Sequence, residues 1–154
     1  MKRLIAVLIG LLSSSTIADE SVGARSDSHE YTLTIGEEAA FEAKSETGSL
    51  SVVFEDDGST GYFYALDYSK TDQPIQEAMH IYDVKSVIGK SKTSAVRITW
   101  SADGKKAGLW INDYPHAVFD FAARRGYCRS NYPSPQKWNA SDFAWRDSAL
   151  DLIK

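Results

Sequence analysis

The stretch VRITWSADGKKAGLWIND, residues Val96–Asp113, decides the fold. On either side of Asp103-Gly104 the chain alternates between apolar and polar residues, as a strand with one buried face must. An Asp-Gly pair favours a type I′ turn, because both central residues take positive φ and the turn matches strand twist. A two-residue loop there pairs Trp100 with Ala107, Ile98 with Leu109 and Val96 with Ile111 on the core side. Thr99 then meets Gly108, and Arg97 meets Trp110, on the opposite face.

Leu50–Tyr68 repeats the arrangement, with Asp57-Gly58 between SVVFED and STGYFYALDY. VFEDDGSTGYFYA and TWSADGKKAGLWI align at an offset of 46 residues. The chain has room for three such units, fewer than a propeller needs, so recurrent hairpin chemistry is the better explanation. Further out, Tyr31–Ile35 alternates as a strand. Asp113-Tyr114-Pro115 reads as a three-residue loop before a strand at His116–Phe121, pairing Ile111 with Ala117 and Leu109 with Phe119. Asp72-Gln73-Pro74 opens a short helix with Ile75, Ala78, Met79 and Tyr82 on one side, giving way to extended chain within His80–Ile88. Residues 122–140 read as loop, and Ser141–Ile153 as a terminal helix with Phe143, Leu150 and Ile153 on one side. The expected fold is mainly β (α+β): an antiparallel sheet of hairpins and meander with one or two short helices, in one β-rich domain over residues 31–154.

Composition agrees with a single globular domain: 154 residues, 43% hydrophobic and 25% charged, enough to build an apolar core. Twenty-one acids against 17 bases exclude a generic basic nucleic-acid binder. The charge is lopsided. Residues 19–72 carry 13 acids and 3 bases, whereas 73–154 carry 8 acids and 12 bases. Cys128 is the lone cysteine, so no internal disulfide can form.

The N-terminus has the layout of a secretory signal peptide over residues 1–18. Lys2 and Arg3 precede nine apolar residues, Leu4–Leu12, and Thr16-Ile17-Ala18 offers small residues at the cleavage site. Nine is too few to span a bilayer, which takes about 20. Residues 19–30 read as a flexible leader. The implied location is periplasmic or secreted, with no stable membrane anchor after cleavage.

FEDDGSTGYFYALD (Phe54–Asp67), IQEAMHIYDV (Ile75–Val84) and ITWSADGKKAGLWINDYPHAVFDFAARRGYCRSNYP (Ile98–Pro133) resemble a bacterial family of small uncharacterised proteins, a domain of unknown function. The resemblance covers roughly Val52–Pro133. It implies a bacterial source and a single domain, and it implies no activity.

Residue chemistry points away from catalysis. Cys128 has Arg124, Arg125 and Arg129 nearby, which would favour a thiolate, and His116 or His80 could serve as its base. No cysteine-hydrolase signature surrounds it, however, and cysteine is among the residues most often simply buried. The acids Glu55-Asp56-Asp57 are consecutive, not alternate as in a calcium loop, and suit a hairpin turn. His29, His80 and His116 lack metal-ligand spacing, and no cofactor is implied. Asn139-Ala140-Ser141 matches a glycosylation acceptor, a chance match in a bacterial chain.

The leading expectation is an exported, non-enzymatic binding or interaction protein, one version being an immunity or inhibitor protein acting on another envelope protein. The alternatives are a small envelope hydrolase or metal-dependent enzyme using Cys128 and His116, and a structural or stress-related envelope protein. The candidate binding residues are Arg97, Trp110, Asn112, His116 and Asp120, on the meander face opposite the core. Gly108 leaves a shallow place beside Trp110, and Arg97 can stack on its indole. The competing expectation is that a second sheet or the terminal helix covers this face and makes Trp110 a core residue. Export makes a direct prediction: N-terminal sequencing of material recovered outside the cytoplasm should begin at or within a few residues of Asp19, and recovery only of an intact Met1 form would overturn it.

Overall fold

The computed structural model describes residues 27–130 and 144–154. The stretch 1–18 read as a signal peptide, leader residues 19–26, the Asn139-Ala140-Ser141 match and positions 141–143 of the expected terminal helix lie outside the described residues. Among the described residues, nine strands form two antiparallel sheets. One has four strands in the order β2 (Ala39–Lys44), β3 (Leu50–Asp56), β4 (Thr60–Asp67) and β5 (Ile75–Asp83). The other has five: β1 (Ser28–Thr34), β6 (Thr93–Trp100), β7 (Lys106–Ile111), β8 (Tyr114–Asp120) and β9 (Arg125–Cys128). Their inner faces share one core. Val52, Phe54, Phe63, Ala65 and Met79 from the four-stranded sheet meet Leu33, Val96, Ile98, Trp100, Leu109 and Phe119 from the other. With no disulfide, that apolar burial carries the fold.

The β6–β7 register is the expected one at all five pairs, from Val96–Ile111 to Trp100–Ala107. The turn is different. Gly104 has φ +65 and its N–H donates to the Ser101 carbonyl at 2.8 Å, so the turn spans Ser101–Gly104. Of the Asp-Gly pair only the glycine is left-handed. A four-residue loop centred on the same peptide keeps the register of a two-residue loop. The other sheet grips this turn: Ser45 Oγ donates to the Gly104 carbonyl at 2.7 Å, and Thr47 Oγ1 to the Asp103 carbonyl at 3.2 Å. In the first hairpin Asp56 pairs with Gly61, which makes Gly58 (φ +86) and Ser59 the central residues.

Three expectations are corrected. Residues 75–82 form strand β5, not a helix. Two bulges, where Gln76 and Ile81 are skipped in the pairing with β4, break its alternation and give the apolar spacing of a helix. Residues 125–128, read as loop, form β9 against β8. Ser28–Glu30, assigned to the leader, belong to β1, where they pair with Thr99, Ile98 and Arg97. At the C-terminus the helix is a 3₁₀ helix over Asp147–Ile153, with Ala149 and Ile153 buried.

A buried carboxylate ties the two sheets' connections together. Asp56 is 1% exposed and accepts hydrogen bonds from Gly36 N–H (2.8 Å), Gly58 N–H (2.8 Å) and Tyr82 Oη (2.7 Å). Burial, then the Asp56 carboxylate, push the Tyr82 hydroxyl well above its usual range, so Tyr82 remains a donor. Asp56→Ala strands these three donors and should cost about 3 kcal/mol, measured by urea denaturation. A cost under about 0.5 kcal/mol would show that the carboxylate organises nothing.

Candidate functional site

The outer face of the five-stranded sheet carries most of the expected binding residues. Arg97 and Trp110 pair across β6 and β7, with the guanidinium carbon 4.9 Å from the indole centroid. Arg97 Nη2 also reaches Asp113 Oδ1 at 3.2 Å. Trp110 is half-buried, because the C-terminal segment lies over its row. Val118, Ala149 and Ile153 form a second apolar cluster, packed by Trp110, Tyr127, Trp145, Leu150 and Leu152. The shallow place at Gly108 is real, and this chain fills it. A Cβ built there would lie 2.5 Å from the Trp110 ring and 2.6 Å from Ile153 Cδ1.

The β7–β8 register differs from the expected one. Asn112 (φ 51) and Asp113 (φ 61) make a two-residue turn with both residues left-handed, a type I′ arrangement. Ile111 therefore pairs with Tyr114, Leu109 with Ala117 and Gly108 with Val118, with His116 bulged out between Pro115 and Ala117. Proline lacks the N–H that regular pairing would use, so the irregularity falls there. Asn112 is a turn-former: its N–H donates to the Ala95 carbonyl at 2.8 Å, its Oδ1 accepts from Ala95 N–H at 2.9 Å, and its Nδ2 donates to Ser94 Oγ at 3.2 Å. Asp120 sits at the far end of β8, buried, where its Oδ1 accepts the Ala123 N–H at 3.0 Å. Arg97 and Trp110 thus meet as expected, Asn112 and Asp120 hold turns, and His116 joins a different group.

That group centres on Arg129. Its guanidinium carbon lies over two rings, 4.4 Å from the Tyr114 centroid and 4.1 Å from that of Trp145. Arg129 Nε donates to the Pro115 carbonyl, and Nη2 lies 4.0 Å from Asp147 Oδ1. His116 packs edge-on against Tyr114, with centroids 5.5 Å apart. Tyr114 is 54% exposed, so one side of the stack faces solvent. Sequence reasoning missed Tyr114, Arg129 and Trp145. The available signal was the short alternation Arg125–Cys128, which makes a strand and projects Arg129 beside β8.

Cys128 faces the core at 1% exposure. Its thiol donates to the His80 carbonyl at 3.0 Å, a protonated geometry far from a nucleophile's. Among the described residues, no three His, Cys, Asp or Glu side chains gather to hold a metal ion. No described helix is long and apolar enough to cross a membrane.

Residues 33–154 match the family model described as "Uncharacterized protein conserved in bacteria (DUF2251)". The chain belongs to this family. The DUF2251 match takes in every residue of the Arg97–Trp110 and Tyr114–Arg129–Trp145 groups. An uncharacterized protein of Haemophilus influenzae is 49% identical to this DUF2251 chain over 86 residues, covering 56% of this chain and 53% of the relative. The chain thus spans about half the length of that relative. No solved structure matches.

Burial, then the Arg129 charge, lower the His116 pKa from 6.5 to about 4. The unfolded chain therefore binds the proton more readily, and stability is full above pH 6.5 and declines as pH falls towards about 4. Because the site is partly open, we expect a loss of about 1–2 kcal/mol over that window. Denaturant titrations across it should show a shallower pH slope for His116→Asn than for the parent chain. Equal slopes would show that folding leaves the His116 pKa unshifted.

Proposed function

We propose that this chain is an exported binding protein without a reaction of its own, which presents the Tyr114–Arg129–Trp145 surface to another envelope protein. One observation carries the reading: Arg129 stacks on two aromatic rings, at 4.4 and 4.1 Å, and one of them is a tyrosine that is 54% exposed. Tyr, Trp and Arg are the residues most enriched among the anchors of protein interfaces. An arginine already stacked and hydrogen-bonded loses little further freedom when a partner arrives, which lowers the cost of association. The neighbouring Arg97–Trp110 pair extends the same chemistry along the sheet.

Export is supported by Lys2, Arg3, the apolar run Leu4–Leu12 and the Thr16-Ile17-Ala18 site. An immunity or inhibitor role fits a small domain whose most distinctive surface is an interaction patch. The segment Ile111–Phe121, one of the motifs behind the family resemblance, supplies both Tyr114 and His116. We read that motif as the part of the family pattern that builds the surface. The hydrolase alternative needs an accessible thiolate, and nothing in the buried, hydrogen-bonded Cys128 supports it.

The test uses the processed chain as bait in bacterial envelope extract, followed by quantitative mass spectrometry. A specific partner should be retained by the parent chain and by Ile88→Ser, an exposed change in another loop. Tyr114→Ala should lose at least about 90% of it while melting within about 2 °C of the parent. Equal retention by Tyr114→Ala, or no specific partner for any form, would overturn the proposal.

A further inference from the structure

A second feature lies at the other end of β8, away from Tyr114. The β4–β5 connection and the β8–β9 turn flank two adjoining open hollows, of about 330 and 570 Å³, that share Gln76 and the exposed Lys70 and Arg124. These volumes are those of small-molecule sites. Leu50, Phe119 and Phe121 give the inner hollow an apolar wall, and Phe121 is braced from behind by stacking on Trp100 (5.7 Å) and edge-on contact with Phe119 (4.8 Å).

Arg124 at this wall has charge to spare. Among the described residues Arg124 makes no hydrogen bond or ion pair, although it stands at φ +53, where an arginine is strained and glycine would not be. Lys70 Nζ donates to a neutral acceptor, Gln76 Oε1, at 2.6 Å. Gln76 cannot swing away, because its Nε2 is tied to the Gln73 and Pro74 carbonyls at 2.9 and 3.0 Å. The acids of the hollows are held mainly by other donors, although the Lys70 charge also reaches Asp67 and helps to lower its pKa. Asp67 Oδ1 accepts from the Ser49 and Ser69 hydroxyls and the Ser69 N–H. Glu77 accepts from the Ala78 N–H, and burial raises its pKa. Asp72 lines only the outer hollow.

We infer that this cleft binds a small organic anion carrying an aromatic or compact apolar body. Arg124 and Lys70 take the anionic group, and Phe121 with Leu50 takes the body. The arrangement discriminates by charge, since a neutral isostere keeps the apolar contact and loses the ionic one. This site is separate from the Tyr114 surface, and each can fail without the other.

Isothermal titration of the full chain with phenylacetate, phenylacetamide and phenethylamine tests the inference. Phenylacetate should bind with a dissociation constant on the order of 1 mM, as expected for a ligand so small, and the other two at least about tenfold more weakly. Arg124→Gly removes the guanidinium and relieves the backbone, so it should keep or raise the melting temperature while weakening phenylacetate at least about tenfold. Equal binding of all three probes, no binding of phenylacetate, or unchanged affinity in Arg124→Gly would overturn the inference.

Discussion

Asp56 is a charge taken almost wholly out of water, and the rest of the architecture is arranged so that it is not alone. A lone buried carboxylate would be strongly unfavourable. Here three donors arrive from three places: the β1–β2 turn, the β3–β4 turn and the end of β5. Each donor is available only if its segment is where the sandwich needs it. Gly36 belongs to the crossing between sheets, and Gly58 opens the hairpin. Tyr82 lies over Gly61 so closely that a Cβ there would sit 2.7 Å from its ring. The non-directional apolar core tolerates many near-native arrangements, whereas a triply donated carboxylate tolerates few.

The five-stranded sheet solves a different problem, that of a second apolar face. Its inner face is buried by the other sheet, yet Val118 and the ring of Trp110 also point outward. The C-terminal segment covers them, using the room left by Gly108. Among the described residues, the rim beside that cover carries Arg97, Arg129, the exposed Tyr114 and the half-buried His116. The proposed binding surface is therefore a boundary. Its cations are ordered because they stack on rings partly held by the core beneath.

Legibility in the sequence followed the range of the determining interaction. The β6–β7 hairpin was readable because its register depends only on alternation and on where the loop is centred; even a mistaken turn type left all five pairs correct. β5 was misread because two bulges at Gln76 and Ile81 mimic helical spacing, and those bulges answer to β4, not to neighbours in sequence. The β7–β8 register slipped because Asn112 and Asp113 are both left-handed, held by Ala95 and Ser94 some 17 residues away. Of the expected site, Arg97 and Trp110 were legible because they face each other across that one hairpin. Arg129, Tyr114 and Trp145 come from three separate elements, and no local pattern announces their meeting. The lining of Arg124, Lys70 and Phe121 is of the same kind.

Cys128 has a bearing on kinetics as well as on packing. A thiol that donates to a carbonyl inside the core can meet a solution reagent only when β9 comes away from the sandwich. Its modification would then proceed at a rate set by the opening equilibrium and not by the intrinsic reactivity of a cysteine. The single sulfur in the chain that can form a thiolate is thus a built-in clock for breathing at one sheet edge, and it is shielded from oxidants for as long as that edge stays closed.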